Sequence, residues 1–149
     1  MRDTNTFRLQ SILDLKTNVV DNLETEFAHL RQAHQREETK LEALHNSRTQ
    51  EIEALHRQQQ NGPLDCDAIQ VHQQYLQALA DQAVRQAVRV REAARQADAK
   101  REELVKTMQD QKTLEKLRER HDTKQYQILL RREAGIIDDL VTTRYARER

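Results

Sequence analysis

Glycine and proline stand next to each other at only one place in this sequence of 149 residues, the segment Asn61-Gly62-Pro63. The chain has two Gly and one Pro in all, so sharp turns have few other places to form. We expect Gly62 to adopt the left-handed conformation that ends many helices, and Pro63 cannot continue a helix. Asp65 or Asp67 is then placed to cap the next helix. The segment predicts one turn between two long helices.

The residues before the turn carry apolar side chains at alternating spacings of four and three, the 3.5-residue period of a coiled coil. We call the residues that face the other helix the seam. On the first helix the predicted seam is Leu9, Leu13, Lys16, Val20, Leu23, Phe27, Leu30, His34, Glu37, Leu41, Leu44 and Arg48. It continues at Ile52 and Leu55 after an additional four-residue step, a stutter that would locally unwind the supercoil.

The second helix has a matching seam, with a register slip expected before Leu114 and Leu117. Its residues are Ile69, His72, Leu76, Leu79, Ala83, Ala87, Val90, Ala94, Ala97, Arg101, Leu104 and Met108. Folding about Gly62 places large residues opposite small ones, which favours pairing within one chain over a parallel dimer. The expected neighbours are Leu41 with Ala83, Leu30 with Ala94, Phe27 with Ala97, and Val20 with Leu104.

These patterns predict an all-α fold, in which two long helices form an antiparallel coiled-coil hairpin. We expect a single coiled-coil domain over 1–149, with its first helix at about 6–59, the turn at 60–65 and the second helix at about 66–146. The same register places Phe7 near Leu117, so 118–149 would overhang the N-terminus. This overhang carries an apolar stripe, which favours docking on another protein. The alternative is a kink at Gly135 and a tail folded back on the hairpin.

Composition and charge exclude several classes of function. The 25 basic and 25 acidic residues give zero net charge and no basic stripe, so we expect no nucleic-acid partner. No apolar run is long enough for a membrane span. None of the six histidines lies three or four residues from another histidine, and the one cysteine, Cys66, stands apart from them, so no metal site is predicted. We treat His34 as a buried polar residue and the other histidines as solvated.

Nucleotide-binding loops and catalytic motifs are also missing from the sequence. The acid pair Asp138-Asp139 cannot act as a catalytic dyad, because adjacent helical residues point about 100° apart. We therefore predict a protein that is not an enzyme, with no cofactor and no small-molecule substrate.

Four segments, in order along the chain, resemble the flagellar FliJ family of export proteins. The start Phe7-Arg8-Leu9-Gln10-Ser11-Ile12-Leu13-Asp14-Leu15 is similar to its "F-x-L-x-x-L-L-x-L" start. The segment Gln73-Gln74-Tyr75-Leu76-Gln77-Ala78-Leu79 looks like its "Y-L-x-x-L" segment, and Lys112-Thr113-Leu114-Glu115-Lys116-Leu117 resembles its "K-x-L-E-K-L" stretch. Asp138-Asp139 followed by Arg144 matches its acid pair near a basic C-terminus, whereas Gly135 and Ile136-Ile137 depart from its polar run.

The resemblance implies a non-enzymatic component of the bacterial flagellar type III export apparatus. Such proteins are stalk-like coiled coils that bind the hexameric export ATPase and promote its assembly and activity. They also contact the cytoplasmic domain of the export gate protein and assist the cycling of export chaperones. The implied location is the cytoplasm, peripherally associated with the inner membrane through the apparatus.

The same resemblance implies two partner-binding surfaces. The gate-facing residues are Leu44, Tyr75, Leu79, Gln82 and Gln86. The ring-facing residues are Arg8, Leu114, Leu117, Tyr126, Leu130, Ile137 and Leu140. Two alternatives remain open from the sequence: the equivalent stalk of a virulence secretion system, and a generic coiled-coil spacer or adaptor.

Overall fold

The computed structural model describes residues 6–148, which form two α-helices and no strand within that range. Helix α1 spans Gln10–Gln60 and helix α2 spans Cys66–Arg147, 51 and 82 residues respectively. The two helices pack against each other, so the predicted all-α helical hairpin is confirmed. The ends of both helices near the turn agree with the sequence prediction, and α1 begins four residues later than expected, at Gln10.

The connection between the helices follows the local rules that predicted it, with one exception. The Asp65 carboxylate accepts hydrogen bonds from the backbone amides of Asp67 and Ala68, at 3.1 and 3.3 Å from Oδ1. Asp65 is therefore the N-cap of α2, because these two amides have no carbonyl partner within the helix. The expected left-handed conformation of Gly62 is wrong, since neither glycine has a positive φ. Pro63, which cannot continue a helix, remains the local reason why α1 stops.

Replacing Asp65 with alanine should destabilise the hairpin by about 1 kcal/mol, because the first-turn amides of α2 lose their capping oxygen. Urea unfolding followed by circular dichroism measures the change. Asp67→Ala is the matched control, since its side chain makes no capping bond in the structure. An equal loss in both variants would contradict the assignment of Asp65 as the cap.

Packing divides the chain into two compact units, and each helix contributes to both. The first is Asn22–Leu104, and the second comprises the described parts of Met1–Asp21 and Val105–Arg149. In the first unit the buried apolar residues are Leu23, Leu79, Ala97 and Leu104. Phe27 and Ala97, which the predicted register places together, line a common groove of about 450 Å³. The Lys100 ammonium also lies 2.9 Å from the Glu26 carboxylate across the two helices.

Near the turn the seam of α1 runs differently from the prediction. Ser47 and Glu51 are partly buried, whereas Arg48 and Ile52 are exposed, so the spacings of three and four continue and the predicted stutter is wrong. The reason is a polar contact across the helices between the Glu51 carboxylate and His72 Nδ1. Glu51 thus occupies the seam position that hydrophobicity assigned to Ile52, whereas His72 lies where the predicted seam of the second helix placed it.

In the second unit Leu13 and Val20 are buried, and polar contacts flank them. Lys16 Nζ lies 3.4 Å from the Asp110 carboxylate, and the Gln111 amide donates to the Thr17 hydroxyl at 3.1 Å. No register slip occurs before Leu114, because Thr107, Gln111 and Leu114 are partly buried at alternating spacings of three and four that continue from Leu104.

Phe7 contacts a different residue of α2 from the one predicted. Its ring centroid lies 5.7 Å from that of His121, about one helical turn beyond Leu117, which is exposed. His72 and His121 are thus partly buried and form contacts across the helices, so their assignment as solvated side chains is wrong. His34 is partly buried, as expected, and lies 3.4 Å from the Glu38 carboxylate.

Beyond Gln125, every residue up to Glu148 is exposed. The overhang thus begins about two helical turns later than the predicted Arg118, consistent with the shifted contact of Phe7. Helix α2 continues through Gly135 without a positive φ and ends at Arg147. The alternative of a kinked tail folded back on the hairpin is therefore wrong for the described residues.

Candidate functional site

The predicted gate-facing residues, which we call the turn-proximal surface, all lie within the unit Asn22–Leu104. Leu44, Gln82 and Gln86 line one groove of about 230 Å³ between the helices. Tyr75 is 49% exposed and Gln82 is also exposed, whereas Leu44 is half-buried. Leu79 is only 5% exposed and therefore offers almost no area to a partner. The accessible part of this surface is Leu44, Tyr75 and Gln82.

Gln86 is buried because its side chain bonds the opposite helix. Its amide donates to the backbone carbonyl of Glu37 at 3.0 Å and also to the Glu37 carboxylate. Lys40 donates to the same carboxylate at 2.8 Å. The hydrogen bond from Lys40, followed by that from Gln86, holds the pKa of Glu37 below its ordinary value. Gln86 thus fixes the register of the two helices, a common use of a polar residue in a coiled-coil seam.

The structure adds two residues that the sequence interpretation missed, Arg85 and Arg89, which line the same groove. They follow Gln82 at the spacings of three and four that keep residues on one side of a helix. The nearby acids bind other groups: Asp81 accepts from Gln77 at 3.1 Å, and Glu92 lies 2.9 Å from Arg95. Arg89 also helps to lower the pKa of the Glu37 carboxyl across the helices, so the groove carries two guanidinium groups with one carboxylate near them. The heptad spacing from Tyr75 through Gln82 is the sequence signal that could have found them.

The predicted ring-facing residues lie in the other unit. Arg8 is exposed just before the start of α1, Leu117 is exposed on α2, and Leu114 is half-buried in the seam. The four tail residues are all exposed, from 45% for Leu130 to 65% for Leu140. The structure therefore leaves the tail members open to a partner and makes Leu114 mainly a packing residue.

Most of the exposed apolar residues of the tail lie along one side of α2, and Ile128 on the opposite side is an exception. We call the positions at spacings of four and three the tail stripe: Tyr126, Leu130, Glu133, Ile137, Leu140 and Arg144. Further exposed apolar side chains flank it at Leu129, Ile136 and Val141. Contiguous exposed apolar surface of this kind marks an interaction site, because an isolated solvated helix gains nothing by keeping one apolar side.

Within residues 6–148, no cluster of three or more His, Cys, Asp or Glu side chains is placed to hold a metal ion. Cys66 is exposed at the start of α2. Neither of the two described helices contains a stretch apolar enough to cross a membrane. The described surfaces are suited to contacts between proteins.

Comparison with known proteins gave one match. The sequence model of a protein family described as "FliJ: Flagellar FliJ protein" matches residues 5–149. No curated protein and no solved structure matches the chain. The family match covers both units described above.

Proposed function

The chain belongs to the flagellar FliJ family and is therefore a component of the flagellar export apparatus, in which we propose that it acts as a non-enzymatic stalk for the hexameric export ATPase. The observation that carries this proposal is the tail stripe, because all the residues from Tyr126 to Glu148 are exposed although α2 remains a continuous amphipathic helix. Binding in the ATPase ring would cover this apolar surface.

Geometry supports the stalk proposal in a second way. Two packed helices are roughly 20 Å across, since each is 10–12 Å wide with its side chains, which suits the lumen of a protein ring. Apart from the tail, the surface is mainly polar and the net charge is zero. Such a surface favours exchangeable contacts over a permanent seal. ATP hydrolysis would then belong entirely to the ring.

For the turn-proximal surface, we propose that Leu44, Tyr75 and Gln82 contact the cytoplasmic domain of the export gate protein. Tyr75 is the expected anchor, because a half-exposed tyrosine offers a large rigid surface at small entropic cost. Leu79 and Gln86 support this surface from the interior of the hairpin. Assistance to export chaperones, and a cytoplasmic location at the inner membrane through the apparatus, belong to the same proposal.

The purified protein should be mixed with the export ATPase of the same organism, with ATP turnover and ring assembly as the measurements. Stimulated turnover together with co-elution is the expected result. An ATPase whose turnover and assembly are both unchanged, with no co-elution, would contradict the stalk function. The spacer or adaptor interpretation would then be the better one.

A further inference from the structure

Two charged residues of opposite sign, Glu133 and Arg144, interrupt the tail stripe. They lie on the same side of α2 as Ile137 and Leu140, because all four follow spacings of three and four. Along the helix they are about 16 Å apart, so they cannot pair with each other within one chain. Any occupant that covers the stripe must bring opposite charges at the same separation, because an unpaired charge is costly to bury.

We propose that a second copy of this chain is such an occupant, with the two tails packed antiparallel. When Ile137 of one copy lies opposite Leu140 of the other, Glu133 falls opposite the second copy's Arg144. The two-fold symmetry of a homodimer then repeats the pair, with Arg144 opposite the second copy's Glu133. The two layers that pair Ile137 with Leu140 lie at the centre of the interface. One Glu133–Arg144 ion pair flanks them at each end.

Other arrangements of the same two helices lose this match. A parallel dimer in register would place Glu133 against Glu133 and Arg144 against Arg144. An antiparallel dimer moved by one heptad would place Glu133 opposite Ile137, or Leu140 opposite Arg144. Like charges or unpaired charges at seam positions disfavour each of these, which is how charged seam residues select one register.

The contact also fits the surface that each hairpin leaves free. The paired segments, 130–147 in both copies, lie entirely within the exposed stretch that follows Gln125. No contact inside either hairpin has to break. Arg144 Nε lies 3.8 Å from the Glu148 carboxylate, an exposed pair on the same helix that contributes little and can exchange for another.

The short length of the paired segment limits the area of the interface and therefore the affinity of this dimer. The paired helices are only about 27 Å long, so the interface is small and the dimer weak and transient. This pairing goes beyond the proposed function, because it needs no export ATPase. It would compete with any other protein that covers the same stripe.

The test is sedimentation velocity on the full chain alone, between about 1 µM and 1 mM, where a weak contact becomes populated. The wild type should form dimers as its concentration rises. Glu133→Arg and Arg144→Glu should each weaken the dimer at least about ten-fold, because each variant places like charges opposite one another twice. The double variant should recover most of the wild-type affinity, since it restores both pairs with their signs reversed.

Arg131→Glu and Asp138→Arg are the matched controls, because both residues are exposed on the side of the helix away from the stripe. They should leave the dimer unchanged, and circular dichroism checks that every variant stays helical. A wild type that remains monomeric throughout, or a double variant no better than the single ones, would overturn the proposal. Because no ATPase is present in this experiment, the absence of a dimer would not contradict the proposed stalk function.

Discussion

A chain shortened by residues 126–149 should fold as stably as the full protein and yet fail to stimulate the export ATPase. The described residues of this segment are all exposed, so removing them leaves the buried residues and the contacts across the helices in place. The apolar surface proposed to enter the ring is removed with them. Turnover, ring assembly and co-elution measure the loss, and thermal unfolding by circular dichroism measures the unchanged stability.

A double variant of the full-length chain distinguishes the effect of losing the apolar surface of the tail from the effect of shortening the helix. Leu130→Asp with Ile137→Asp keeps the tail but places two carboxylates on the stripe, so it should reproduce the effect of the truncation. Its matched control, Gln127→Asp with Arg131→Asp, changes exposed residues outside the stripe and should retain stimulation. A truncated protein that still stimulates the ATPase would place the ring contact at Arg8 or Leu117 instead.

The fold could be predicted because its main determinants are local. Pro63 cannot continue a helix, and α1 ends at Gln60. Asp65 lies at the start of a periodic segment and caps it. The 3.5-residue spacing of apolar residues is long enough on both sides of the turn to indicate two helices that pack along one side.

The seam was less predictable wherever polar side chains pack across the helices. Ile52 looked like a better seam residue than Glu51, but Glu51 pairs with His72 and Ile52 is exposed. Gln86 is buried in place of its neighbour Ala87 because it bonds Glu37. Apolar periodicity contains no information about such pairs, since their partners are distant in the sequence.

The exposure of the candidate site residues was also hard to predict, because it depends on contacts between residues distant in the sequence. Resemblance to a family indicates which positions could contact a partner. Whether each of these side chains is exposed depends on the register of the two helices in this chain. Leu79 and Gln86 are neighbours of Tyr75 and Gln82 in the sequence, yet they point between the helices. The start of the overhang likewise depends on the contact of Phe7 with His121, which no local rule supplies.

Leu79→Ala should lower stability and Tyr75→Ala should lower partner affinity, because Leu79 is buried between the helices and Tyr75 is half-exposed. Leu79 is among the few buried residues of a thin core, so its truncation should lower the free energy of unfolding by about 2–3 kcal/mol. Tyr75 is half-exposed, so Tyr75→Ala should change stability by no more than about 0.5 kcal/mol. If it is the anchor for the gate protein, affinity for that partner should fall at least about ten-fold.

Urea unfolding and titration calorimetry against the cytoplasmic domain of the gate protein measure the two quantities separately. Val84→Ala is the control, since Val84 is exposed on the side of α2 opposite to Tyr75 and should affect neither. A Tyr75→Ala variant that binds the gate protein normally would remove the anchor from the proposed surface. Arg85 and Arg89 would then be the residues to test next, because their guanidinium groups line the same groove and the nearest acids on α2 bind other side chains.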